Sequence, residues 1–150
     1  MCFDPQLAYS RPELAFYMRR PGSFTLIAEK AVENAAGNVL EDQGGPIRGF
    51  IVAETRRKTG HIITIDVIAE ARRDGVGSAL LHAAEQKLLG AGALRVALET
   101  PVNNDAAIRF YKKKGFFVEK TVAGYYSGHL DALLMAKELA KPAENNILQK

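Results

Sequence analysis

A β-branched run that leads into a glycine-rich turn is the feature that most limits how this chain can fold. Residues 61–68 read His-Ile-Ile-Thr-Ile-Asp-Val-Ile, which is too short and too branched for a helix and predicts a central strand. After a connector at 69–74 comes Gly75-Val76-Gly77, and a helix is predicted from there to Gly90. The apolar residues that recur at helical spacing are Val76, Ala79, Leu80, Ala83 and Leu88.

The remaining patterns predict a mixed α/β domain. A capping box at Ser10-Arg11-Pro12-Glu13 starts a short helix that ends near Arg20. Asn104 caps a later helix that ends at Gly115. Strands are predicted at 24–31, 47–54, 61–68, 94–100, 116–122 and 131–139. The order is therefore a helix, three strands, a helix, a strand, a helix and two strands, within a domain over residues 1–140 and before a polar tail at 141–150.

Composition limits the kind of protein and its compartment. The 150 residues suit one domain, and Cys2 is the only cysteine, which excludes a disulfide framework and a multi-cysteine zinc site. No metal is predicted. The chain shows no secretion-signal pattern, and its apolar runs fall far short of the roughly 20 residues of a membrane helix. We therefore expect a cytoplasmic protein that makes no membrane contact.

The distribution of charge argues against nucleic acid as a partner. Twenty Lys and Arg residues against 17 Asp and Glu give a formal charge of +3, which is too slight an excess to indicate a polyanion. The basic runs at 56–58 and 112–114 are short and carry no interleaved aromatic residues. The position of the basic residues beside the glycine turn is more informative than their number.

The glycine turn has the properties of an anion-binding site. The first backbone N–H groups of a helix have no internal partners and lie at its positive dipole end. Glycine lets an anion approach the backbone, and Arg72 and Arg73 add charged donors beside the turn. A Walker loop would need Gly-Lys-Ser/Thr, and a dinucleotide fingerprint would need glycine where Leu80 stands. Neither of these two phosphate-binding schemes fits the spacing.

Two motifs resemble the GNAT superfamily of acetyltransferases. Arg72-x-x-Gly75-x-Gly77 is similar to the family turn that grips the pyrophosphate of acetyl-coenzyme A. Asn104-x-x-Ala107-x-x-Phe110-Tyr111-x-x-x-Gly115-Phe116 is similar to the family element after the fifth strand. The resemblance implies a central mixed sheet flanked by helices, and acetyl-coenzyme A held where two parallel strands splay apart. The cofactor-binding residues that it implies are Val67, Ile68, Arg72, Arg73, Gly75, Val76, Gly77, Ser78, Asn104 and Tyr111.

Within that superfamily the chain resembles the N-terminal protein acetyltransferases, including the ribosomal-protein alanine acetyltransferases. The resemblance covers about Phe3 to Leu139 and includes a Phe-x-Pro-x-x-x-Tyr-Ser segment near the start. In relatives, that segment and a tyrosine-bearing hairpin wall the groove for a peptide N-terminus. By carry-over, the substrate-binding residues are Phe3, Pro5, Tyr9, Tyr125 and Tyr126. Because family members have a strand and most of a helix before this segment, we also expect the usual first strand to be absent.

The resemblance assigns catalytic roles to three residues. Amine attack on a thioester requires a group that takes the ammonium proton and a donor for the departing thiolate. Tyr111 matches the family tyrosine that serves as that donor, and a phenol is protonated at neutral pH. Glu99 matches a glutamate with a proposed role as base in bacterial relatives. His61 is the second candidate for the base, because its strand position carries a catalytic tyrosine in some eukaryotic relatives and imidazole titrates near neutral pH.

Three alternatives remain open from the sequence. The acceptor is a protein or peptide N-terminus, or else a small amine such as a polyamine, an amino acid or an antibiotic. The α-amine, with a pKa near 8, suits a modest base better than lysine, with a pKa near 10.4. A third alternative is a module that binds acetyl-coenzyme A without turnover. The oligomeric state is open, a homodimer included, and the residues do not decide whether Glu99, His61 or a water is the base.

Overall fold

The computed structural model of the protein describes residues 11–40 and 43–139, and its elements follow the predicted order. A 3₁₀ turn at Ala69–Ala71 is the one addition to the predicted elements within the described residues. The helices are α1 at Arg11–Met18, α2 at Val76–Gly90 and α3 at Asp105–Lys113. The strands are β1 at Ser23–Glu29, β2 at Ile47–Arg56, β3 at Thr59–Val67, β4 at Arg95–Pro101, β5 at Phe117–Tyr126 and β6 at Leu130–Glu138.

The strands form one mixed sheet in the order β1-β2-β3-β4-β6-β5. Only β3 and β4 are parallel among the neighbouring strands described, and α2 makes the crossover that a parallel pair requires. The antiparallel pair β5 and β6 is joined by a tight turn in which Ser127 and Gly128 have positive φ. The predicted mixed α/β sheet flanked by helices is therefore confirmed.

The two parallel strands separate soon after they meet. Their register has three residue pairs, from Thr59 with Arg95 to His61 with Ala97, whereas β3 continues to Val67 and β4 to Pro101. The carboxyl halves of β3 and β4 are therefore splayed, which confirms the predicted opening between them.

The backbone of Val67 points into this opening. The N–H of Ile68 donates to the carbonyl of Arg48 at 2.9 Å, so Gly49 and Val67 form a non-hydrogen-bonded pair between β2 and β3. In an antiparallel ladder, the backbone groups of such a pair point away from the partner strand. The N–H and C=O of Val67 are thus directed to the side where β4 has moved away.

One face of the sheet holds the hydrophobic core. Helix α2 packs on β1, β2 and β3, and α3 adds Ala107 and Tyr111 to the same cluster. The buried positions of α2 are Val76, Leu80, Leu81, Ala84, Glu85 and Leu88, whereas Ala79 and Ala83 share the predicted spacing but lie exposed. The apolar residues of α2 cover a wider part of the helix surface than the core buries. Ala79 and Ala83 lie at the edge of that surface, where alanine is tolerated because it occurs in both buried and exposed positions.

The sheet also fixes which strand residues face away from this core. A Cβ added at Gly60 would meet the Leu88 side chain at 2.8 Å, so Gly60 faces α2. Successive strand residues alternate between faces, and His61 therefore faces the opposite side. None of the described helices is long and apolar enough to cross a membrane.

Candidate active site

A hydrogen-bonded His61–Glu99 pair lies where β3 and β4 begin to separate. His61 is the last β3 residue in register with β4, and Glu99 lies two residues beyond its register partner Ala97. The imidazole Nε2 and the Glu99 Oε2 are 2.6 Å apart, a short distance typical of a charge-assisted bond. The sequence offered these residues as separate candidates for the base, and the structure joins them in one unit at the mouth of the opening.

The charges around His61 favour its protonated form. Burial acts to lower the pKa of His61, but the hydrogen bond and charge of Glu99, together with Glu54, raise it above the ordinary value of 6.5. The pair can therefore accept one proton between Nε2 and Oε2.

Glu54 is a third member of this cluster that the sequence analysis missed. It pairs with His61 in the β2–β3 register, and its Oε1 lies 3.9 Å from the imidazole Nδ1. Arg20, just after α1, places its Nε 3.3 Å from the other oxygen of Glu54. The one signal in the sequence was an acidic residue directly after the apolar run Ile51-Val52-Ala53.

Tyr125 stands on the same side as the pair. Burial, the charge of Glu99 and the nearby Tyr17 raise the pKa of Tyr125 to about 12. The Tyr125 ring packs edge-on against Tyr126, with 4.9 Å between ring centroids. The two predicted groove tyrosines are therefore together, beside Glu99 and an α1 residue, Tyr17, that the sequence analysis did not select. The predicted Phe3, Pro5 and Tyr9 lie outside the described residues.

Tyr111 is buried on α3 rather than exposed at the pair. Its ring makes edge contacts with Phe110 and Phe116. Burial raises the pKa of Tyr111, so its phenol keeps its proton at neutral pH. Within the described part of the chain, no hydrogen bond joins Tyr111 to His61 or Glu99. Its proton state suits the predicted donor role, which stays a prediction.

The glycine turn has the geometry of an anion site. Gly75 precedes α2 with φ 78°, and among the described residues no side chain caps the helix. A Cβ placed on Gly75 would meet nothing within 4 Å, so the space beside Gly75, at the start of α2, is open. Arg73 adopts a positive φ of 71° in the same turn.

Arg72 links the turn to the strand before it. Its Nε donates to the Val67 carbonyl at 3.2 Å. The Ile68 N–H binds Arg48 on β2, so the N–H of Val67 is the better placed of the two to bind a cofactor. Val76 is buried and Ser78 half-buried in the first turn of α2, so Val76 offers a ligand its backbone alone.

Asn104 confirms its predicted helix cap. Its Oδ1 accepts from the Ala107 N–H at 3.2 Å, which fixes the start of α3. Its suggested contact with a pantetheine arm stays a prediction. Taken together, the helix terminus at Gly75, the adjacent arginines and the outward N–H of Val67 fit a long ligand that carries phosphates at one end and amides along its arm.

Residues 4–116 match the Acetyltransferase (GNAT) family, and the chain belongs to that family. Members of this family use acetyl-coenzyme A. The chain is 42% identical over 83 residues to an N-alpha-acetyltransferase of Sulfurisphaera tokodaii, which covers 55% of this chain and 50% of the relative. It is 34% identical over 113 residues to N-alpha-acetyltransferase 20 of Dictyostelium discoideum, which covers 71% of this chain and 65% of the relative. The matched region thus spans half to two thirds of these relatives.

Solved structures agree with the fold. Ard1 from Thermoplasma volcanium superposes with a TM-score of 0.71 at 30% identity, over 89% of this chain and 82% of that one. The ribosomal-protein-S18-alanine N-acetyltransferase from Escherichia coli also gives a TM-score of 0.71, at 22% identity, over 91% of this chain and 81% of that one. The second likeness concerns the fold alone.

Proposed function

We propose that this protein transfers an acetyl group from acetyl-coenzyme A to the α-amine at the N-terminus of a protein or peptide. The observation that carries the proposal is the His61–Glu99 pair, whose 2.6 Å bond lies at the mouth of the opening between β3 and β4. The names of the relatives, which are N-alpha-acetyltransferases, support the choice of acceptor. The single cysteine supports a cytoplasmic location.

Cofactor binding would rest on the residues at one end of the opening. Arg72, Arg73 and the N–H groups that follow Gly75 would hold the phosphates, because both arginines lie in the turn that leads into the N-terminus of α2. The outward N–H of Val67 would bind the amide arm in the manner of an added strand. When bound there, acetyl-coenzyme A supplies an activated acetyl group as a thioester.

The His61–Glu99 pair and Tyr111 would carry out the two proton transfers of the reaction. The His61–Glu99 pair takes the proton of the incoming ammonium and holds it between Nε2 and Oε2. An α-amine with a pKa near 8 gives up that proton more readily than lysine, which suits a base that titrates near neutral pH. Tyr111 keeps the proton on its hydroxyl that the departing sulfur needs.

The acceptor would lie against the tyrosine pair of the hairpin. Tyr125 and Tyr126 pack together. Burial chiefly raises the pKa of the Tyr125 phenol, and Glu99 and Tyr17 of α1 lie near enough to raise it further. These aromatic side chains border the approach to Glu99, so a peptide N-terminus laid between α1 and the hairpin would bring its amine to the pair. Phe3, Pro5 and Tyr9 complete this groove in the proposal.

A panel of acceptors tests the proposal. The purified protein and acetyl-coenzyme A are incubated with peptides that have a free α-amine, with the same peptides blocked at the N-terminus but carrying a lysine, and with polyamines, amino acids and aminoglycoside-type amines. We expect thiol release and a mass increase of one acetyl group with the free α-amine peptides alone. Turnover of small amines without any peptide turnover would overturn the proposed acceptor. Coenzyme binding without turnover of any amine would overturn the proposal that the protein is an enzyme.

A further inference from the structure

Glu54 is a buried carboxylate whose hydrogen bonding is incomplete. It is 3% exposed, and its Oε2 has no hydrogen-bond partner in the described part of the chain. Its charge is balanced by Arg20 at 3.3 Å and, more weakly, by the exposed Arg56 at 3.9 Å. Burying a carboxylate costs free energy that hydrogen bonds normally offset. The position of Glu54 therefore calls for a reason other than packing.

That reason lies in the two nitrogens of His61. Nε2 faces Glu99 at 2.6 Å, and Nδ1 faces Glu54 at 3.9 Å. A separation of 3.9 Å is too long for a direct hydrogen bond, so Glu54 acts on the ring through its charge. A negative charge beside Nδ1 favours a proton on that nitrogen. The other nitrogen, Nε2, is then the one that shares a proton with Glu99.

The groups around the ring come from four parts of the chain. Glu54 and Arg56 lie on β2, Glu99 lies on β4, and Tyr125 of the hairpin lies within electrostatic reach of Glu99. The remaining groups are Arg20 and Tyr17. Arg20 lies between Glu54 and the rings of Phe16 and Tyr17, each centroid 5.8 Å from the guanidinium. Arg20 thus anchors Glu54 to the end of α1.

We propose that Glu54 is a positioning residue that holds His61 with its Nδ1 proton towards β2 and presents Nε2 to Glu99, with Arg20 as the fixed counterion. Glu54 does not reach the reacting atoms, and its effect on the reaction passes through His61. The catalytic consequence rests on the proposed function, whereas the effect on His61 does not. The structure also supplies a matched control in Glu85, which is 7% exposed and bound to Lys137 on the other face of the sheet.

The test is an NMR titration of the His61 imidazole in wild type, Glu54→Gln and Glu85→Gln, with His61→Gln used to assign the signal among the three histidines. In Glu54→Gln, the His61 midpoint is expected to fall by about one pH unit, because an attractive charge has been removed. In Glu54→Asp, which keeps a carboxylate, the His61 midpoint should return most of the way to the wild-type value. Glu85→Gln should leave the midpoint unchanged, whatever it does to stability. An unchanged midpoint in folded Glu54→Gln would overturn the proposal.

A second variant covers the case in which Glu54→Gln fails to fold. Arg20→Gln removes the cation beyond Glu54, so the His61 midpoint should rise, and a fall or no change would overturn the proposal. The pH dependence of acetyl transfer then separates the two proposals. A titration shift in a protein that acetylates nothing keeps the positioning role and rejects the proposed function. Acetyl transfer by a protein whose His61 midpoint is the same in wild type and Glu54→Gln keeps the proposed function and rejects the positioning role.

Discussion

The two faces of the sheet bury glutamates in different ways. On the core face, both oxygens of Glu85 accept from the Lys137 Nζ, at 2.9 and 3.1 Å. On the opposite face, Glu54 leaves one oxygen without a hydrogen bond and directs its charge at His61. A fully satisfied buried charge stabilises one arrangement, whereas an incompletely satisfied one marks a place where a proton or a ligand changes the balance. The His61–Glu99 pair and its neighbour Glu54 therefore lie on the face of the sheet opposite the α2 core.

Among the variants that test this difference between the two faces, Glu99→Gln is expected to lower kcat the most. Removing the carboxylate breaks the pair that we propose as the base, so kcat should fall at least about a hundredfold. The loss should appear in steady-state kinetics with a free α-amine peptide, while the affinity for coenzyme, measured by calorimetry, should stay within about twofold of wild type. Glu85→Gln is the control on the core face. Equal losses of kcat in both variants would break the division between the faces.

Leu81→Ala should show the reverse pattern. Leu81 is 1% exposed on the core face of α2, and truncation of such a leucine costs about 2–5 kcal/mol of unfolding free energy. Chemical denaturation measures that loss, and kcat should be unchanged where the variant is folded. Leu89→Ala, at a position on the same helix that is 39% exposed, should change stability by no more than about 0.5 kcal/mol. A kcat loss in Leu81→Ala comparable to that of Glu99→Gln would contradict the account.

A smaller effect separates the two ends of α2. Gly75 at its start and Gly92 just after its end both have positive φ, 78° and 93°, with no atom within 4 Å of an added Cβ. Alanine at either position should cost about 1 kcal/mol of stability, because an L side chain disfavours this backbone conformation. Gly75→Ala alone should also raise the KM for acetyl-coenzyme A several-fold. The same KM in both variants would show that the start of α2 does not hold the phosphates.

Much of the fold could be predicted because its signals are local. The β-branched run at 61–68, the glycine turn and the capped helix at Asn104 each require a particular conformation over a few residues. The alternation that buries Ile62 and exposes His61 to the other face is equally local. The element order and the location of the glycine turn could therefore be predicted from these segments.

The arrangement of the site could not be predicted, because it depends on register between distant strands. His61 and Glu99 are 38 residues apart, and no local pattern aligns Thr59 with Arg95. Glu54 ends the predicted strand at 47–54 without any motif around it, and its pairing with Arg20 and His61 depends on distant parts of the chain. The hydrogen bond of the Ile68 N–H to β2 follows in the same way from pairing rather than from composition.

The pH dependence of kcat tests the central claim, that the His61–Glu99 pair is the base. The folded protein raises the pKa of His61 above 6.5, and the base must be free of its proton, so kcat at saturating peptide should fall as pH drops through a midpoint above 6.5. In His61→Gln, this acidic loss should be absent or move to lower pH, and the rate at pH 8 should be reduced. The same midpoint and the same rate in wild type and His61→Gln would contradict the account.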